Sequence, residues 1–191
     1  MDKRIEELKN DPNFLLELNR REEEAKRDRD IIRLYDVLDT LIALEKSDKS
    51  RIASIYNLIL EIALNSLHSK LESESLFDLD NEYDHYTLRA IYEYGIDHYS
   101  HNRFDEAKEI FILLSIVNEN PVFKGAMQIH LVAILKKIPF NEFLEKFVDM
   151  EAMENKNESF FILYFFDSAN QFLHQNSQLI VDAIREVKNY R

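Results

Sequence analysis

From Ile31 the chain sets apolar residues at helical spacing: Ile31, Leu34, Tyr35, Leu38, Leu41 and Ile42 fall on one face. After the break "EKSDKS" (45–50), Ile52, Ile55, Tyr56, Ile59, Ile62 and Ala63 repeat the pattern. Leu58, Leu60 and Leu64 widen this second stripe, which predicts a helix covered on most sides. Upstream, "DP" (Asp11, Pro12) combines an N-capping carboxylate with a proline suited to the first helical position. "FLLEL" follows, then "NRREEEAKRDRD" (19–30), whose interleaved charges predict a solvated helix laced by i,i+4 pairs. The alternative is an arm that carries Phe14, Leu15, Leu16 and Leu18 to another surface. "ESESLFDLDNEYD" (72–84) reads as the longest loop and the domain boundary. Beyond it, helical segments alternate with short turns near Asn102, 119–121, 138–139, 155–157 and 175–177, which makes successive helices antiparallel neighbours.

Composition sharpens the fold class. Two glycines and three prolines are too few for turn-dense sandwiches or barrels, so the chain is expected to be all-α. One glycine, Gly95, sits inside a helical pattern, where it costs about 1 kcal/mol relative to alanine. Close approach of another helix is the natural reason. In "TLRAIYEYGIDHYSHNRFDEAKEIFILLSIVNEN" Gly95 falls on the small residue of a first helix, and Phe104, Ala107 and Phe111 on the aromatic, small and aromatic positions of a second. Pro121 closes the unit. Phe140, Phe143 and Phe147 repeat that spacing, with Phe143 at the small position and Leu131 in place of the glycine. A third pair is expected from "ESFFILYFFDSANQFLHQ" and "SQLIVDAIREV", with Ala183 at its small position.

These positions resemble the tetratricopeptide repeat. The resemblance implies an N-terminal helical region (1–82) and a repeat region (83–191) of about three hairpins, roughly 88–121, 122–155 and 157–191. The first unit is also similar to the first repeat of the small tetratricopeptide chaperones of bacterial type III secretion, which handle translocator proteins before export. That family shares an N-terminal helical region, about three repeats and an acidic character. The likeness implies a concave groove holding an extended segment of a hydrophobic secretion client in the cytoplasm. Some 80 residues precede the first repeat here, more than that family usually has, and the later repeats lack its small residues.

A formal net charge of −12 argues against a nucleic-acid partner, because phosphate contacts need an excess of Lys and Arg. With no cysteine there is no disulfide, thiol chemistry or thiolate metal site. The first residues, "MDKRIEELKNDPNF", lack the apolar run of a signal peptide. The longest apolar run, "FFILYFF" (160–166), is far short of the ~20 residues a membrane helix needs. His85, His98 and His101, near Asp84 and Asp97, include an i,i+3 pair, but His98 falls on a core position and His101 at a helix end. No metal is expected there, and His68, His130 and His174 are expected to pack or cap. Neither paired carboxylates nor a glycine-rich phosphate loop stands out, so no enzyme and no cofactor is expected.

The face expected to line the groove comprises Tyr92, Ile96 and Tyr99 in the first pair, Gln128, Val132 and Leu135 in the second, and Phe165 and Phe172 in the third. If it is open it suits a partner's extended apolar segment; the alternative is that the N-terminal helices fill it. The leading expectation is a binding chaperone. A structural adaptor within a larger assembly, or a helical regulatory protein without chaperone activity, are the rivals. Homodimerisation through the N-terminal helices stays open.

Overall fold

The structure, a computed structural model, describes residues 3–44, 48–156 and 160–188. Among these residues there are eleven α-helices, one isolated β-bridge and no strand, so the chain is all-α. No described helix is long and apolar enough to cross a membrane. The chain forms two compact units: Met1–Glu74 with Asp80–Ala90, and Ser75–Leu79 with Ile91–Arg191.

The first unit holds α1 (Lys3–Asn10), α2 (Pro12–Asp28), α3 (Ile31–Ala43), α4 (Lys49–Glu72) and the opening turns of α5 (Glu82–Ser100). α1 packs on α2, α2 on α3 and α3 on α4. Local chemistry starts them. The Asp11 carboxylate accepts from the Asn13 N–H (2.9 Å) ahead of Pro12, and Asp30 and Asp48 cap α3 and α4 in the same way. Ile31, Leu34, Tyr35, Leu38 and Leu41 are buried as the spacing predicts. Ile42 and Leu64 are exposed, and Leu58 and Leu60 half-buried, so neither α3 nor α4 is covered as widely as its stripe suggests.

The polar run of α2 carries the expected ion pairs, Arg20 with Glu17 and Glu24. It is not wholly solvated, because Glu22 and Ala25 are buried. Burial alone would raise the Glu22 pKa, but hydrogen bonds from Lys26 and Arg51 outweigh it and hold the carboxyl below its ordinary value. Leu18 is buried and Leu16 exposed, so the four apolar residues of this helix do not act together as an arm. Deeper in the unit, the Arg89 guanidinium lies 3.9 Å over the Tyr35 ring and grips Asp39 with two bonds of 2.8 and 2.7 Å.

The second unit takes over α5 from Ile91 and adds α6 (Phe104–Leu114), α7 (Pro121–Leu135), α8 (Phe140–Phe147), α9 (Met150–Lys156), α10 (Asp167–Gln175) and α11 (Ser177–Lys188). Gly95 lies where the sequence required a close approach. A Cβ there would meet Ile110 Cγ2 at 2.9 Å and the Phe111 ring at 3.0 Å. Ala107 and Phe111 are fully buried, and Phe104 is partly so. The turn at Asn102 uses a left-handed residue (φ 58°), and Asn120 caps α7 ahead of Pro121. The stretch read as a loop after α4 is anchored rather than loose: Phe77 is buried, its N–H donates to the Val117 carbonyl (2.9 Å), and its carbonyl accepts from Asn118 (2.7 Å).

The later part of the unit departs from a run of uniform hairpins. The helix expected across 158–175 exists only as α10, from Asp167. Residues 160–166 are non-helical: the chain bends at Phe160 and Phe161, runs on without a bend through 162–166, and Phe165 forms an antiparallel bridge with Val148. "FFILYFF" is apolar on every side, so a helix there would need cover all round. An aromatic and branched strand instead needs only one buried face. At the turn expected near 155–157, Asn155 and Lys156 still belong to α9, while Asn157 lies outside the described residues. The last helix, α11, packs on α6 as well as α7. In a linear stack of repeats it would touch only the neighbouring hairpin.

Candidate functional site

The second unit contains one connected aromatic cluster, and the non-helical stretch 160–166 lies in it. Tyr92 of α5 meets Phe111 of α6, His130 of α7 and Phe161 edge-on, with ring centroids 5.9, 5.6 and 5.3 Å apart. Phe161 also meets Phe123 at 5.1 Å. Four residues on, Phe165 packs against His130 (5.8 Å) and Phe143 of α8 (6.2 Å). Such edge-on pairs add about 0.5–1.5 kcal/mol each beyond area burial.

Helix periodicity explains how these side chains converge. His130 stacks flat on Phe111 at 5.0 Å, so α6 and α7 face each other through that pair. Phe143 sits one helix further along, 4.8 Å from His130. Together with Tyr92 these rings form the trough against which Phe161 and Phe165 pack.

Polar groups within the trough are matched in series. A backbone carbonyl can only accept, so the His130 Nδ1–H donates to the Ala126 carbonyl (2.8 Å). His130 Nε2 then accepts from the Tyr92 hydroxyl (3.2 Å), whose oxygen accepts the Ile162 N–H (3.1 Å). Burial pushes the His130 pKa down to about 4, against a smaller upward pull from its bond to Ala126, so the ring is neutral at pH 7. Burial likewise raises the Tyr92 pKa well above its ordinary value. Both side chains are inaccessible and the imidazole has both nitrogens engaged. The pair therefore orients and does not exchange protons with a substrate. At the far end, the Asp149 N–H donates to the Tyr164 carbonyl (3.0 Å) and the Phe166 N–H to the Phe147 carbonyl (2.9 Å). Val148 and Phe165 are thus a non-hydrogen-bonded antiparallel pair.

Five of the eight residues expected to line a groove fall in three places. Tyr92 and Phe165 meet at His130, and Phe172 stacks on Phe147 at 4.6 Å beside them. Tyr99 packs lower down, against Phe140 and Phe143, with its hydroxyl donating to the Ile138 carbonyl (2.9 Å). Leu135 lines a separate cleft of about 300 Å³ with Phe104, Ile134, Leu179 and Ala183. Ile96 and Gln128 are half-buried, and Val132 is fully buried. Of the three first-pair residues that an open groove would expose, Ile96 is half-buried, while Tyr92 and Tyr99 are not exposed. They are 3% and 0% exposed, and the rings against them belong to their own unit.

Two participants escaped the sequence reading. His130 looked like an isolated packing residue, and Phe161 lay in a stretch assigned to a helix. The signal available for Phe161 was composition alone, a run of aromatic and branched residues with strand preference. His98 is buried with neither ring nitrogen hydrogen-bonded, and Tyr94 lies edge-on to it at 4.5 Å. Among the described residues, no group of three or more His, Asp or Glu side chains comes together as a metal site.

What the fold and site define is an all-helical protein whose second unit holds an extended aromatic segment in a trough. Comparison with protein-family models, with curated proteins and with solved structures found no match for this chain.

Proposed function

We propose that the protein is a binding chaperone or adaptor whose second unit holds an extended, aromatic-rich segment of a protein partner. One observation carries the reading: the helices already hold such a segment, 160–166, by ring contacts, by the Tyr92 hydroxyl and by a one-residue bridge. Helical surfaces that receive a strand in this way offer apolar pockets for side chains and a few polar groups for its backbone.

The resemblance of roughly 88–121 to a tetratricopeptide unit supports the same reading, as does the close approach at Gly95. On that reading the partner is an aggregation-prone client of type III secretion, shielded in the cytoplasm until export. No catalysis is involved: each apolar side chain buried contributes about 1.5–3 kcal/mol.

The test is co-expression with neighbouring genes, followed by mass spectrometry of what co-purifies with the protein. A client that aggregates when made alone and stays soluble in the complex supports a chaperone. A subunit that folds alone and remains bound supports the adaptor. A protein that purifies alone from every such co-expression refutes both.

A further inference from the structure

We infer that the stretch 160–166 is an internal stand-in for the partner, and that the partner takes its place by presenting two aromatic side chains four residues apart on an extended strand. The inference rests on the proposed binding role and specifies the ligand. Phe161 and Phe165 are the two anchors, about 13 Å apart along an extended chain, which is the rise of four residues. Between them, the N–H that follows the first anchor meets the Tyr92 hydroxyl. The second anchor sits opposite Val148, where the edge formed by Phe147 and Asp149 accepts one backbone bond and donates another. Any strand with aromatic-x-x-x-aromatic spacing satisfies all of these contacts, because the trough reads the two rings and the backbone.

The stretch is held as an occupant is held. Only Phe161 is fully buried; Ile162, Leu163, Tyr164 and Phe165 are half-buried, and Phe160 and Phe166 are 42% and 45% exposed. Exposure is therefore greatest at the two ends of the stretch. The rings beneath, Phe111, His130 and Phe143, also pack on one another, so the floor keeps contacts of its own when the stretch leaves. Local opening of such a segment lies below global unfolding in free energy. A tethered occupant also competes at a high effective concentration, so the intact protein shows only a fraction of its true affinity for a partner.

The experiment titrates the full chain against a fluorescein-labelled peptide of the sequence SFFILYFFDS, flanked by lysines for solubility, with anisotropy as the readout. The wild-type protein binds weakly. Phe161→Ala, which empties the first pocket from within, binds at least about 10-fold more tightly, the gain expected when an internal competitor is weakened. Phe165→Ala does the same at the second pocket. A peptide with alanine in place of both anchor phenylalanines, or with an N-methyl group on its isoleucine, loses that gain.

Equal binding of the native and alanine peptides by folded variants overturns the inference. So does failure of both variants to fold, since a displaceable occupant cannot be required for folding. A wild-type dimer that dissociates on Phe161→Ala overturns it too, by assigning the trough to a second copy. A co-purified client that binds wild type and Phe161→Ala equally leaves the binding role standing and removes this inference alone.

Discussion

The two glycines of this chain form a matched pair, and replacing each with alanine separates backbone cost from packing cost. Both lie inside helices, Gly95 in α5 and Gly125 in α7, so each alanine recovers about 1 kcal/mol of helix propensity. At Gly125 an added Cβ meets nothing within 4 Å, so the gain is kept whole. At Gly95 the Cβ meets Ile110 Cγ2 at 2.9 Å, closer than real Cβ contacts come, and Phe111 Cε2 at 3.0 Å, tighter than most of them. Neither neighbour can retreat cheaply. The Ile110 atom is the methyl carried directly on Cβ, whose χ1 a helix restricts, and Phe111 is 0% exposed, stacked on His130 and edge-on to Tyr92. Overpacking of this kind costs about 1–3 kcal/mol, which exceeds the propensity gain and leaves a net loss near 1 kcal/mol. The two variants should therefore differ by about 2 kcal/mol in opposite directions. At 2–4 °C per kcal/mol for a domain of this size, Gly125→Ala melts about 2–4 °C above wild type and Gly95→Ala about as far below. Gly95→Leu falls lower still. Thermal melts followed by circular dichroism measure all three. If Gly95→Ala melts as high as Gly125→Ala, the helices do not meet at that position and the packing argument is wrong.

Acid should weaken the second unit through His130. Its pKa is about 4 when folded and about 6.5 when unfolded, so between those values the unfolded chain binds the extra proton. The stabilisation is complete above pH 6.5 and lost as pH falls through 4, at up to about 1.4 kcal/mol per unit and roughly 3 kcal/mol in all. Urea titrations from pH 7 to 4.5 should show this slope in wild type and a shallower one in His130→Asn; equal slopes would refute it. Tyr99→Ser, with or without Ile96→Asp, should cost about 3 kcal/mol by emptying a site enclosed by Phe140 and Phe143. A melting temperature within 2 °C of wild type would return Tyr99 to a free surface. Arg89→Lys keeps the charge but loses the paired bonds to Asp39 and the stack on Tyr35. A loss of about 2 kcal/mol by urea denaturation is expected, tempered by the half-exposed Asp39, and no loss would show the planar fork to be dispensable.

What the sequence disclosed is what depends on neighbours in the chain. Asp11 before Pro12 and Asn120 before Pro121 start helices because the capping oxygen and the amides it meets lie within three residues. The faces of α3 and α4 follow from a period that any apolar stripe reveals. Gly95 was legible for a different reason: a residue that weakens its own helix must be compensated from outside, and its place relative to Ala107 and Phe111 says from which side. "FFILYFF" gave no such purchase. Seven consecutive apolar residues satisfy the period of a strand and of a helix equally, so the choice passes to whatever surface receives them. Here that surface is assembled from Tyr92, Phe111, His130 and Phe143, which are far apart in sequence, and no spacing encodes their meeting.

The same limit applies to the groove face itself. Tyr92 and Tyr99 were placed on the face that could receive a partner, and both are buried: Tyr99 by Phe140 and Phe143 of α8, Tyr92 in part by Phe161, where a chain's own segment and a partner's segment satisfy an aromatic trough by the same contacts. Ring against ring, and an N–H on the Tyr92 hydroxyl, do not depend on covalent connection to the helices. Whether such a face is interior or interface is decided by competition between a tethered strand and a free one, a matter of effective concentration and not of residue type. The rings of Phe161 and Phe165, the Tyr92 hydroxyl and the backbone bonds to Phe147 and Asp149 set what a free strand must match to win that competition.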